Sequence, residues 1–92
     1  MRNREFYINS IKMDLFRVVT AAGDITKEIP LQSIVEFLQH AIKDFEKFEK
    51  TDHDNEIREN LHILLEEISC LEDPHKRVRW TENILTTRCR LY

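Results

Sequence analysis

Residues 22–31 read Ala-Gly-Asp-Ile-Thr-Lys-Glu-Ile-Pro-Leu and hold the chain's one glycine, Gly23, and the first of its two prolines, Pro30. On both sides of this stretch apolar residues recur every three or four positions, the period of a helix and not of a strand. Gly23 is suited to end one helix in a left-handed conformation, because it carries no Cβ. Pro30 is suited to open the next, since its fixed φ and missing N–H fit a first helical turn. The second proline, Pro74, follows Asp73 in a pair that reads as N-cap and first helical residue. Strand-like alternation persists nowhere. The breakers therefore predict helices over about 4–22, 30–50, 53–72 and 74–90. Short connections between them make an all-α, antiparallel up-down four-helix bundle the expected fold, with residues 1–92 as one domain.

Working outward, Tyr7, Ile8, Ile11, Leu15, Val18, Val19 and Ala22 form the inward stripe of the first segment, with Asn3 as its N-cap. Leu31, Ile34, Val35, Leu38, Ala41, Ile42, Phe45 and Phe48 give the second a wide apolar face. Lys43, Lys47 and Lys50 complement the dipole in its final turns. The third segment follows the polar linker 51–55, with Asp52 or Asp54 as cap, and turns Ile57, Leu61, Leu64, Leu65, Ile68 and Leu71 inward. The fourth is expected to bury Val78, Thr81, Leu85, Cys89 and Tyr92.

Ninety-two residues, 34% of them charged and 41% hydrophobic, describe an ordinary globular chain with little room for an enclosed substrate cavity. No apolar run approaches the roughly 20 residues of a membrane span, and the N-terminal region lacks a signal-peptide core, so the expected location is cytoplasmic. The net charge of −3 is unevenly placed: residues 36–73 are strongly acidic, whereas 74–92 hold five basic groups against Glu82 alone. A basic last helix beside acidic middle helices favours the antiparallel arrangement. The basic groups Lys76, Arg77, Arg79, Arg88 and Arg90 fall on two sides of that helix, which argues against nucleic-acid binding.

Two segments carry more apolar surface than one stripe needs. Phe6, Met13 and Phe16 lie opposite the main stripe of the first segment, and Trp80, Ile84 and Leu91 form a second line on the fourth. First and fourth helices are neighbours in an up-down bundle, so these six residues are expected to join as a partner surface, most simply a homodimer interface. The expected function is accordingly non-catalytic protein–protein interaction, as a regulator, adaptor or immunity-type factor.

Residues able to carry chemistry are sparse. No His-x-x-x-His or Cys-x-x-Cys pair occurs, and Glu59 and His62, one turn apart, are two ligands where a site needs more, so no metal site or cofactor is expected. Cys70 and Cys89 fall toward opposite ends of adjacent antiparallel helices, too far apart for a disulfide. Neither has a histidine one turn away, the serines occupy no glycine-flanked turn, and an enzyme is not expected. His40 lies on the polar face of the second segment among Ser33, Glu36, Lys43, Asp44 and Lys47. The tetrad His40-Ala41-Ile42-Lys43 resembles the His-x-Leu-Lys core of histidine phosphotransfer domains, small four-helix proteins that pass phosphoryl groups between response regulators. That resemblance implies His40 as phosphoacceptor and Lys43 as a charge-steadying neighbour. Asp44 and Phe45 follow where that family carries a small residue, and Asp44 is expected to repel an incoming phosphoryl group.

Overall fold

The structure, a computed structural model, describes residues 3–24 and 26–91. Four helices follow one another: α1 (Arg4–Gly23), α2 (Leu31–Asp44), α3 (Asp52–Glu66) and α4 (Pro74–Cys89). A 3₁₀ turn prolongs α2 at Phe45–Lys47, and another prolongs α3 at Ile68–Glu72. Among the described residues there is no strand, and the all-α four-helix fold is the one the periodicity predicts.

Contacts between side chains show the antiparallel order. Ser10 meets Asp44, Asp14 meets His40 and the Arg17 guanidinium lies over the Phe37 ring, so α1 and α2 run oppositely. Arg88 donates to Lys12 O at 3.0 Å and Arg77 to Ala22 O at 2.7 Å, which reverses α4 against α1. Ile8, Ile11, Leu15, Val18 and Ala22 of α1 are buried against Ile34, Leu38 and Ala41 of α2, with Phe45 beyond them. Ile57, Leu61 and Leu64 of α3 and Trp80 and Ile84 of α4 close the same core.

Local chemistry explains three of the four helix starts. Asn3 Oδ1 accepts from Phe6 N at 3.0 Å, and Asp73 Oδ1 accepts from the backbone of His75 and Lys76 with Pro74 at the first position. At α3 the cap differs from expectation. Thr51, not Asp52 or Asp54, is the N-cap, and Asp54 closes a capping box by accepting from Thr51 N at 3.1 Å.

The C-terminal ends differ more, because tertiary partners decide them. Gly23 lies inside the last turn of α1 with ordinary negative φ, so the left-handed cap does not form. Instead the guanidinium of Arg77, a residue only 5% exposed, reaches from α4 to Ala22 O, Asp24 O and Lys27 O. α2 stops at Asp44, before the expected 50, where Lys50 Nζ donates to Phe45 O at 2.9 Å and Phe48 stacks on Tyr7. α3 leaves α-geometry after Glu66, where Trp80 Nε1 donates to the Leu64 carbonyl at 2.9 Å, the acceptor that Ile68 N would use to continue the ladder.

The largest correction concerns the rotation of α4. Its core line is Arg77, Trp80, Ile84 and Thr87, with Leu91 beyond, whereas Val78 and Leu85 are 43% and 46% exposed and Cys89 faces solvent. Tyr92, expected at the end of the inward stripe, lies outside the described residues. Burying Trp, Ile and Leu removes more apolar area from water than burying Val, Leu and Cys. The same rotation places Arg77 on the end of α1 and gives the indole N–H its acceptor.

Candidate functional site

Two surfaces remain once the core is assigned. On the α1/α4 side, Met13 and Phe16 are 50% and 54% exposed, as their place opposite the main stripe predicts, and Phe6 is also exposed. The expected partners from α4 are not beside them. Trp80, Ile84 and Leu91 are buried, so the six-residue interface read from the sequence is corrected to its α1 half. The rotation that buries them exposes Val78 and Leu85 in their stead, one stripe at a seven-residue spacing. Arg88 joins the two helices, its guanidinium 5.8 Å from the Phe16 ring centroid while its Nε holds Lys12 O. Exposed apolar side chains therefore stand on both α1 and α4, those of α4 being different residues from the ones expected.

The second surface surrounds His40, which is exposed, as expected. Its Nδ1 lies 2.5 Å from Asp14 Oδ2 and 3.6 Å from Asp44 Oδ2, and its side chain is 54% accessible. Asp44 is a correction: read as part of the polar face, it is only 2% exposed, with Ser10 Oγ donating to Oδ2 at 2.8 Å and Lys47 Nζ 3.2 Å from Oδ1. Asp14 is likewise buried, at 4%, with Arg17 3.5 Å from Oδ1. Lys43 is exposed; the lysine that pairs with this cluster is Lys47.

Sequence reasoning passed over Asp14 and Ser10 as members of this group. Two signals were present. Asp14 interrupts the apolar stripe of α1, three residues after Ile11 and four before Val18, and His40 and Asp44 stand one helical turn apart. Neither signal could bring α1 to α2.

Other candidates are chemically quiet. Burial above all, helped by the charge of Glu67, pushes the Cys70 thiol up, which keeps it protonated and non-nucleophilic at neutral pH. Cys70 and Cys89 are both free thiols. An open groove of about 290 Å³ passes Asn60, Ile63, Asn83 and Thr86 between α3 and α4, at the lower limit of ligand pockets. No described helix is long and apolar enough to cross a membrane. The chain matches no protein-family model, no curated protein and no solved structure.

Proposed function

We propose that this protein acts by protein–protein interaction, and that the surface it uses is the α1/α4 face, docked on a second copy of itself. The observation that carries the proposal is the exposure of Met13, Phe16, Val78 and Leu85 on adjoining helices, large apolar side chains that an isolated soluble chain gains nothing by showing. Self-docking is favoured by the charges beside Leu85. Glu82 precedes it by three residues and Arg88 follows by three. If two α4 helices cross antiparallel at Leu85, each Glu82 meets the other copy's Arg88 while the apolar stripes close between them. Glu82 forms no ion pair among the described residues of one chain, so it is available for this role. Twofold symmetry uses each contact twice.

Sedimentation equilibrium at tens of micromolar is expected to report twice the chain mass of 11.1 kDa. Leu85→Lys and Phe16→Lys are expected to give folded monomers, with far-ultraviolet dichroism unchanged. A wild-type monomer under these conditions, or dimers persisting in both variants, overturns self-docking through this face.

A second reading rests on the hydrogen bond between His40 and Asp14. With Nδ1–H donating to Asp14 Oδ2, the Nε2 lone pair is held at the surface, as a phosphoacceptor requires. Asp44, expected to repel a phosphoryl group, is buried and paired with Lys47, which weakens that objection. Acid-labile phosphate on His40 after incubation with a phosphorylated response regulator supports this reading; none appearing on His40 removes it.

A further inference from the structure

We propose that Asp14, His40 and Asp44 form a binding site for a divalent transition ion of the zinc class, bridging α1 and α2. Nδ1 of His40 and one oxygen from each carboxylate all lie within 4.8 Å of one another. The two carboxylates come from different helices and converge on one imidazole nitrogen. This set mixes one borderline nitrogen with two hard oxygens, which suits zinc or cobalt better than calcium or magnesium, whose sites are built from oxygen.

Burial sets this group apart from ordinary surface acids. The side chains of Asp14 and Asp44 are 5% and 3% exposed, and a desolvated carboxylate is costly unless something compensates it. The chain's other buried acid, Asp54, has a complete structural explanation in its capping box and its Arg4 partner at 2.6 Å. Asp14 and Asp44 have none of equal weight. Neither caps a helix through its side chain, and their cations Arg17 and Lys47 stand on the outer Oδ1 oxygens with side chains 53% and 46% exposed. Those two cations can swing into solvent as a metal arrives. Ser10 meanwhile orients Asp44 by donating to its Oδ2 at 2.8 Å, as hydrogen bonds to a ligating carboxylate commonly do.

Metal–ligand distances of about 2.0–2.2 Å place tetrahedral ligand atoms roughly 3.3–3.6 Å apart. The Asp14–His40 contact of 2.5 Å therefore has to open by about an ångström, and the half-exposed imidazole has room on its solvent side to move. Coordination at Nδ1 leaves the ring proton on Nε2, and solvent supplies the remaining position.

The test is calorimetric titration of tag-free protein with zinc chloride, repeated with cobalt chloride to read coordination geometry from its absorbance. One equivalent bound with micromolar affinity is expected. His40→Ala and Asp14→Asn are each expected to weaken binding by at least about tenfold. His40→Ala removes an exposed ring and is expected to keep the wild-type dichroism, so its loss of binding is not a loss of fold. A zinc-induced shift of the His40 Nδ1 nitrogen-15 resonance gives an independent readout. No zinc uptake by the wild type, or equal affinity in His40→Ala, overturns the site, whatever the oligomeric state.

Discussion

Arg77 shows how one side chain can do what a glycine was expected to do. Its guanidinium satisfies three carbonyls, at Ala22, Asp24 and Lys27, across the join between α1 and its following connection. Arg77→Met keeps the aliphatic length but orphans those acceptors, and is expected to destabilise the fold by about 2–3 kcal/mol in urea titration. Asp54 is the residue through which acid should act. Burial alone raises its carboxyl pKa, but hydrogen bonds from Arg4 and Thr51 outweigh burial and hold it below the usual carboxylate range. A lowered folded-state pKa stabilises the protein above the unfolded value of about 3.9, and that stability is lost as pH falls through the folded pKa. Unfolding free energy is therefore expected to fall on acidification below about pH 4, and Asp54→Asn to flatten that dependence. An unchanged slope in Asp54→Asn places the acid sensitivity elsewhere.

Among the elements, α4 is the one whose orientation was misread, and the reason is physical. It carries two apolar lines, and a helical period alone does not rank them. Trp80 decides the ranking through its size and through the indole N–H, which finds Leu64 O only in the observed rotation. Trp80→Ala is expected to cost about 3–5 kcal/mol, as large aromatic truncations in cores do. Val78→Ala, measured on dissociated chains, is expected to change stability by less than about 0.5 kcal/mol. The opposite ranking is what a core built on Val78 and Leu85 demands. Starts of helices were more legible than ends, since Asn3 and Asp73 cap through their own neighbours. The ends of α1 and α3 are met by Arg77 and Trp80 from another helix, whereas that of α2 is met by Lys50, five residues beyond Phe45.

For the whole molecule, the four helices enclose a core that leaves Met13 and Phe16 of α1 and Val78 and Leu85 of α4 exposed, and their burial against a second copy is the association proposed above. A dimer makes apparent stability depend on concentration, because only the folded chain has the face to share. The melting temperature is expected to rise with protein concentration in the wild type and to stay level in Leu85→Lys. Calorimetric scans over a hundredfold concentration range check this, and a level wild-type curve counts against the dimer.

Helix number, the starts at Asn3 and Asp73 and most of the inward stripes of α1, α2 and α3 were legible in the sequence itself, because periodicity and caps are properties of residues three or four positions apart; Leu31, expected inward, is 46% exposed, and the α3 cap fell to Thr51. Which line of α4 is buried was a tertiary decision, as were the stopping points of α1, α2 and α3. The meeting of Asp14 with His40 was another. These outcomes rest on contacts between residues 16 positions apart for Trp80 and Leu64, 26 for Asp14 and His40 and 55 for Arg77 and Ala22, with Lys50 and Phe45 at the end of α2 the local exception, and the competition among packed surfaces selects one arrangement.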